Sequence, residues 1–243
     1  MIHRKKIGPL DCTVVGALAE DLPSRLLVVL CHGFGAPGTD LVPLAEEIIG
    51  ASNRKLDDVT FLFPEAPLGL DAIGGFEGRA WWMINMQALS DMMGARDFSD
   101  LRSAVPPGII EAREMLNETL EEALDATGLS WGELVIGGFS QGAMLTTEVV
   151  LNAEQDPRAL VAMSGTLICE EQWREKVTHH AGLRVIQSHG RIDPVLPFEA
   201  AEWLRDLFVE NGCEVRFLPF HGVHTIPMEM LDEIRQLIES SLD

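Results

Sequence analysis

The sequence predicts one α/β domain whose sheet is mostly parallel and has helices on both faces. Short apolar runs alternate with helix-length segments along all 243 residues, and neither a low-complexity linker nor an internal repeat interrupts them. This alternation indicates parallel strands, because each helix carries the chain back to the edge of the sheet where the next strand begins. We therefore expect a single domain over residues 1–243, with its functional residues outside the carboxyl ends of the strands.

The strands are predicted from apolar runs that are bounded by turn residues. Leu26-Leu27-Val28-Val29-Leu30-Cys31 is apolar throughout, which is typical of a strand buried on both faces of a parallel sheet. Similar runs predict the other strands at residues 12–18, 59–63, 134–137, 160–163, 183–188 and 215–218.

Helices are predicted between these runs, at about residues 41–51, 143–150, 198–210 and 226–241. The longest helix covers about 106–127 and is amphipathic. Its inward face is formed by Ile109, Ile110, Ala112, Met115, Leu116, Leu120 and Leu124. Residues 68–104 are less regular, so we expect a flap or the wall of a pocket there.

The charge of the chain limits its partners. The chain carries 38 acidic and 18 basic residues, a net charge of −20, which argues against nucleic acid and anionic membrane surfaces as main partners. No apolar run reaches the length of a membrane span. The basic N-terminus lacks the apolar region of a signal peptide.

The cysteines indicate a reducing compartment. Their spacing fits no metal site, so no metal is expected. We expect free, buried thiols, which favours a cytoplasmic location. The four are Cys12, Cys31, Cys169 and Cys213.

The pentapeptide Gly138-Phe139-Ser140-Gln141-Gly142 has the pattern G-x-S-x-G between a predicted strand and a predicted helix. This is the context of a nucleophile elbow, in which a serine hydroxyl stands exposed at the end of a central strand. Glycines on both sides leave room for backbone to pack against backbone in so tight a turn. A βα turn without chemistry is the alternative, and the flanking strand and helix make it the weaker one.

A serine nucleophile needs a base to take its proton. Five of the seven histidines are set aside because they lie in the terminus, in polar stretches or in turns: His3, His32, His179, His180 and His189. The other two, His221 and His224, lie in the loop between the last strand and the last helix. We assign the base to His224, which lies deeper in that loop and is free to reach Ser140, and keep His221 as the alternative.

Asp193 is the candidate acid that orients the base. It follows the predicted strand at 183–188, in the segment Arg191-Ile192-Asp193-Pro194. A surface turn before proline is the alternative reading. The order of serine, acid and histidine along the chain favours the catalytic one, because a Ser-Asp-His order is found in one large class of hydrolases.

Acyl transfer also needs N–H donors for the developing oxyanion. The N–H of Gln141 follows the nucleophile at a helix N-terminus and is the first candidate. The second is the N–H of Phe34, in a glycine-rich loop that His32 is expected to shape. A phosphate cradle is the alternative, since the spacing G-x-G-x-x-G occurs here, but Pro37 removes one of the N–H donors that a cradle would use.

These motifs together resemble the phospholipase/carboxylesterase family of α/β-hydrolases, which includes acyl-protein thioesterases. The resemblance spans roughly residues 25–240. It rests on His32-Gly33-Phe34-Gly35, Phe63-Pro64-Glu65-Ala66-Pro67, Gly78-Arg79-Ala80-Trp81-Trp82, Gly138-Phe139-Ser140-Gln141-Gly142, His189-Gly190 through Asp193-Pro194-Val195-Leu196-Pro197, and His224.

The resemblance implies an α/β-hydrolase fold without a large cap domain, no cofactor, and ester or thioester substrates. Ser140, Asp193 and His224 fall on the triad of the family, and Phe34 and Gln141 on its oxyanion hole.

Trp81, Trp82 and Met83 begin an aromatic and methionine-rich stretch that continues with Met86, Met92 and Met93. Such stretches commonly belong to the core. Their position in a glycine-rich, non-periodic segment favours an apolar wall for an acyl chain, so we assign Trp81, Trp82 and Met83 to substrate binding.

The function expected from the sequence is a serine carboxylesterase, a monomer or homodimer, that cleaves short-to-medium acyl esters of small molecules through an acyl-enzyme. An acyl-protein thioesterase or a lysophospholipase is the alternative within the enzyme class. A binding protein that keeps the fold without catalysis is the distant one.

Overall fold

A computed structural model describes residues 2–20, 22–71, 78–95 and 97–243. Within these ranges, eight strands form one sheet in the order β1-β2-β4-β3-β7-β8-β9-β10, and β5 and β6 form a separate two-stranded sheet. The strands are β1 (Ile2–Ile7), β2 (Leu10–Gly16), β3 (Leu26–Cys31), β4 (Val59–Pro64), β5 (Leu68–Gly69), β6 (Arg79–Ala80), β7 (Leu134–Phe139), β8 (Ala159–Met163), β9 (Arg184–Gly190) and β10 (Glu214–Phe220).

The central sheet is mostly parallel, as the sequence predicts. Strands β4, β3, β7, β8, β9 and β10 pair in parallel. Only β1 with β2 and β2 with β4 are antiparallel among the described pairs of this sheet. The carboxyl ends of the six parallel strands therefore meet at one edge, where the loops that carry the candidate catalytic residues begin.

Helices cover both faces of the sheet. They are α1 (Val42–Ala51), α2 (Met86–Ala95), α3 (Ser99–Ser103), α4 (Ile109–Thr127), α5 (Gln141–Leu151), α6 (Glu170–Lys176), α7 (Phe198–Glu210) and α8 (Met228–Ser241). Buried apolar residues of α1 and α8 form one core with the sheet. Those of α4, α5 and α7 form the other on the opposite face.

One strand and one side chain differ here from the sequence prediction. The first strand, β1, was not predicted, because its exposed residues are mostly basic and carry no apolar pattern. Ile110 does not face inward on α4: it is 48% exposed, whereas Ile109 is buried. Adjacent helix residues point about 100° apart, and Ile110 lies outside the buried stripe of α4 to which Ile109 belongs.

Residues 68–104 contain more regular structure than the sequence indicates. The described part of this segment holds β5, β6, α2 and α3. Residues 72–77 and 96 of the expected flap lie outside the described residues. On α2, Leu89 is the buried residue, which explains why the segment lacks the broad apolar face that identifies a core helix.

All four cysteines are free and buried, in agreement with the sequence prediction. Burial raises the pKa of the Cys12 and Cys169 thiols to about 12. None of the helices in the described parts of the chain combines the length and apolar character that a membrane crossing needs.

Candidate active site

Ser140 lies in the sharp turn between β7 and α5, with backbone angles φ 54° and ψ −116°. This left-handed conformation is strained for a residue with a side chain. Close packing holds it: a Cβ added to Gly142 would lie 2.0 Å from the carbonyl oxygen of Cys31, and one added to Gly138 would lie 2.5 Å from the same atom. The Ser140 N–H donates to the carbonyl of Met163 on β8, over 2.8 Å.

Asp193 lies in the loop after β9, and its side chain is fully buried. One carboxylate oxygen, Oδ1, accepts the backbone N–H groups of Val195 and Leu196, at 2.8 and 2.9 Å. The other, Oδ2, lies 2.6 Å from Nδ1 of His224. The acid therefore has both a fixed backbone anchor and a histidine partner.

The pKa of the Asp193 carboxyl is lowered. Burial alone would raise it, but the hydrogen bond with His224 and the N–H groups of Leu196 and Val195 outweigh burial. Hydrogen bonds to the charged form favour that form. Asp193 is therefore a carboxylate at neutral pH, and the Nδ1 of His224 that faces it carries a hydrogen.

His224 is the histidine that the structure brings to the acid. Its ring packs against Phe139, the residue before Ser140, with 4.7 Å between ring centroids. With Nδ1 directed at Asp193, Nε2 is the nitrogen left for a proton from the serine. His221, the alternative base, is exposed and does not share these contacts among the described residues.

The loops of the acid and the histidine are joined by their backbones. The N–H of Ile192 donates to the carbonyl of Gly222 over 3.2 Å, and that of Arg191 to the carbonyl of Phe220 over 2.9 Å. A Cβ added to Gly190 would lie 2.3 Å from the Gly222 oxygen. Glycine at position 190 thus permits the approach that puts His224 over Asp193.

The loop after β3 lies against the serine. A Cβ added to Gly33 would be 3.3 Å from the Ser140 Cβ. Within the described part of the chain, no backbone carbonyl accepts the N–H of Phe34 or that of Gln141. The N–H of Gly35, in contrast, donates to the carbonyl of Arg79 over 2.8 Å. The two N–H groups that the sequence assigns to the oxyanion hole thus form none of the described backbone hydrogen bonds.

His32 shapes this loop, as the sequence indicates. Its Nε2 accepts the N–H of Ala66 over 3.1 Å, so the ring hydrogen is on Nδ1, which donates to the carbonyl of Gly33 over 2.9 Å. Burial lowers the pKa of His32, although the hydrogen bond to Gly33 opposes the shift. A neutral imidazole therefore holds the loop.

Comparison with known proteins shows the family of this chain. The family described as Phospholipase/Carboxylesterase matches residues 13–242. This chain belongs to the phospholipase/carboxylesterase family. Acyl-protein thioesterase 1 of Neurospora crassa is 26% identical over 225 residues, which cover 88% of this chain and 86% of that protein. Its counterpart in Kluyveromyces lactis is 25% identical over 241 residues, which cover 96% and 99%.

Solved structures agree with this result. Esterase PE8 matches with a TM-score of 0.76 at 26% identity, covering 93% of this chain and 96% of the other. Membership of the phospholipase/carboxylesterase family confirms the α/β-hydrolase fold and makes this chain a hydrolase of the esterase and thioesterase class.

In this family member the side chain of Gln141 clamps the segment before α2. Its Oε1 accepts the N–H of Trp81 over 3.0 Å, and its Nε2 donates to the carbonyl of Trp82 over 2.8 Å. The indole of Trp81 donates to the carbonyl of His32 over 2.9 Å. One residue after the serine thus connects the elbow, the tryptophan pair and the His32 loop.

An apolar groove of ≈ 210 Å³ lies beside α5, and its lining includes none of Ser140, Asp193 and His224. Its wall includes Met144 on α5 and Leu196 from the acid loop. Of the three residues assigned to substrate binding, Trp82 and Met83 line the groove. Trp81 does not line it; its indole is buried and bonded to the His32 loop. The other lining residues are Ile84, Asn85, Ala88, Leu89, Met92, Leu101, Ala104, Val105, Pro106, Pro107 and Ile168.

The surroundings of two histidines, His180 and His189, differ from those that the sequence predicts. His180 is not in solvent: it is buried, and its Nδ1 is 2.6 Å from a carboxylate oxygen of Asp156. His189 is not a turn residue but the penultimate residue of β9, with a fully buried ring. The sequence held one indication that His189 lies beside the acid, namely its position four residues before Asp193. Only the fold shows that the two side chains lie close together.

Proposed function

We propose that this family member hydrolyses carboxylic esters with short-to-medium acyl chains through an acyl-enzyme on Ser140. His224 acts as the general base and acid, and Asp193 orients it. The observation that carries the proposal is the 2.6 Å contact between Asp193 Oδ2 and His224 Nδ1, with the His224 ring packed beside the strained elbow.

The reaction follows from these positions. The Ser140 oxygen attacks the substrate carbonyl while its proton passes to Nε2 of His224, and the carbonyl π electrons move to the oxygen. The N–H groups of Phe34 and Gln141 stabilise the resulting oxyanion. When the tetrahedral intermediate collapses, the bond to the leaving group breaks and His224 protonates the departing oxygen or sulfur.

Water completes the cycle. It attacks the acyl-enzyme while His224 takes one of its protons, and a second tetrahedral intermediate releases the carboxylic acid and returns the proton to Ser140. The carboxylate of Asp193 stabilises the imidazolium in both halves and does not itself take up the proton.

The groove supports a short-to-medium acyl chain. Its ≈ 210 Å³ is smaller than the roughly 300–1,000 Å³ of common ligand pockets. Its wall is apolar and rich in methionine, whose flexible side chains adapt to ligands of different shape.

A thioester substrate is the second candidate. The relatives from Neurospora crassa and Kluyveromyces lactis are named acyl-protein thioesterase 1 and align with most of this chain. The same serine, histidine and oxyanion donors would cleave a thioester, so only the leaving group separates the two candidates. Hydrolysis of a lysophospholipid is a further outcome of the same test.

The proposal is tested by Ser140→Ala, with Ser240→Ala as the matched control in the last turns of α8. We expect Ser140→Ala to fold and to lose ester hydrolysis by several orders of magnitude, on the order of the 10⁶ seen when a triad serine is removed. Ser240→Ala should keep wild-type rates. Substantial hydrolysis by Ser140→Ala would refute the nucleophile.

Substrate class is decided by a panel of p-nitrophenyl esters of graded chain length, an acyl-CoA, an S-acylated peptide and a lysophospholipid. A kcat/KM for short and medium esters above that for both thioesters supports the esterase proposal. The reverse order supports the thioesterase. Replacement of His224 and of His221 by alanine completes the set: loss of activity is expected for His224 alone.

A further inference from the structure

His189 is a buried histidine that the proposed mechanism does not use. Its Nε2 lies 3.1 Å from the carbonyl oxygen of Leu196 and 3.4 Å from Oδ2 of Asp193. Both neighbours are acceptors, so Nε2 must carry the ring hydrogen. Nδ1 is then a bare lone pair, and among the described residues it has no hydrogen-bond partner.

The ring is neutral in the folded protein. Burial lowers the pKa of His189, and the positive form of His224 would lower it further, although the backbone of Leu196, the charge of Asp193 and the backbone of Gly165 oppose these effects. A neutral His189 presents a fixed N–H dipole to Asp193 without adding a second positive charge beside His224.

We infer that His189 is a positioning residue that holds the Asp193 carboxylate in the orientation His224 needs. The inference rests on the proposed triad. The N–H of His189 fixes the carbonyl of Leu196, and the N–H of Leu196 in turn fixes Oδ1 of Asp193. The same nitrogen of His189 lies 3.4 Å from Oδ2, the oxygen that pairs with His224.

These contacts form a closed ring through His189, Leu196 and Asp193. The Leu196 side chain also lines the apolar groove. This closed set of contacts therefore connects the orientation of the Asp193 carboxylate to the wall of the groove. Phe198 on α7 packs edge-on against the imidazole at 6.1 Å between centroids, and Arg191 covers the Phe198 ring at 4.8 Å.

A purely structural role of His189 and the inferred positioning role predict different outcomes when the residue is replaced. His189→Leu leaves the buried carbonyl of Leu196 without its donor, so both roles predict some loss of stability. A positioning role predicts in addition that kcat of the folded variant declines and that its pH profile moves. A purely structural role predicts a folded fraction with wild-type kcat and pH profile.

The test compares His189→Leu, His189→Gln and His189→Asn. Glutamine can return a donor near the Nε2 position, whereas asparagine places its amide near Nδ1. We expect kcat for an ester substrate to fall on the order of tenfold in His189→Leu and in His189→Asn, with KM little changed, since hydrogen bonds to charged groups contribute about that factor. His189→Gln should recover most of the loss.

The pH profile supplies a second readout. Without the His189 N–H, more of the negative charge of Asp193 faces His224 and favours its protonated form. The acid limb of kcat/KM should therefore move to higher pH in His189→Leu and return toward the wild-type position in His189→Gln. Thermal unfolding of each variant separates these effects from loss of folded protein.

A double-mutant cycle with Asp193→Asn distinguishes this inference from the proposed function. If His189 acts through Asp193, His189→Asn should reduce kcat far less in the Asp193→Asn background than in the wild type. Equal losses in both backgrounds, or wild-type kcat and pH profile in both His189→Leu and His189→Asn, would overturn the positioning role. If Asp193→Asn alone leaves kcat unchanged, the triad itself is wrong.

Discussion

The elbow around Ser140 and the groove segment from Met83 to Val105 adjoin one another but are held by different means. At the elbow, backbone packs directly on backbone, and an added Cβ at Gly142 would lie 2.0 Å from a carbonyl oxygen. On α2, nothing lies within 4 Å of a Cβ added to Gly94. The nucleophile is therefore positioned by closely packed backbone, whereas the groove is walled by side chains.

The largest expected effect contrasts the two glycines. Gly142→Ala should prevent stable folding, because a Cβ 2.0 Å from the Cys31 oxygen requires β3 and α5 to separate. Gly94→Ala should stabilise the protein by about 0.5–1 kcal/mol, as glycine is unfavourable within a helix. Chemical unfolding of both variants measures the difference. A folded, active Gly142→Ala enzyme would contradict the account of the elbow.

Asp193→Asn gives the next largest effect. We expect kcat to fall by about 10⁴, because an amide in place of the carboxylate holds the wrong tautomer of the histidine. The change is nearly isosteric, so circular dichroism and the unfolding midpoint report whether the fold is kept. A folded variant whose kcat falls less than tenfold would remove Asp193 from the proposed triad.

A smaller effect is expected on the groove side, where Met92 and Met93 form a matched pair on α2. Both are half-buried, and only Met92 lines the described groove. Met92→Ala should move the preferred acyl length upward, since each additional buried CH₂ contributes about 0.8 kcal/mol, roughly fourfold in kcat/KM. Met93→Ala should leave the optimum unchanged. An identical optimum in both variants would show that the groove does not hold the acyl chain.

The smallest effect concerns stability against pH. The pKa values of His32 and His189 are lowered in the fold, so below the unfolded value of about 6.5 the unfolded chain binds protons that the folded chain does not. Each histidine therefore makes the free energy of unfolding fall as the pH decreases below about 6.5. Urea unfolding of His189→Leu between pH 7 and 5 should show a shallower decline than the wild type, and parallel declines would contradict the buried neutral ring.

The contrast between the elbow and the groove segment also explains which elements could be predicted from the sequence. Strands buried on both faces carry continuous apolar runs, so β3, β4, β7 and β8 were predicted near their observed bounds. The edge strand β1 has no such pattern because solvent covers it. Helices α2 and α3 were missed because Leu89 is the buried residue described on α2 and because α3 has only five residues.

Within the candidate site, local motifs predicted the elbow, and chain order selected the acid and the histidine. The contacts that hold these residues in place could not be predicted from the sequence. Gln141 bonds to Trp81 across 60 residues, and no local pattern predicts such a pairing. His189 was interpreted as part of a turn because its neighbour is a glycine, but Gly190 serves the close approach of the His224 loop instead.

Covalent trapping tests the assignment of Ser140 most directly. The protein is incubated with a fluorophosphonate, its intact mass is measured, and the modified peptide is sequenced by tandem mass spectrometry. We predict a single adduct on Ser140, formed at a rate that falls steeply in Asp193→Asn and His224→Ala and is abolished in Ser140→Ala. An adduct on any other residue, or undiminished labelling of Ser140→Ala with ester hydrolysis intact, would contradict the account.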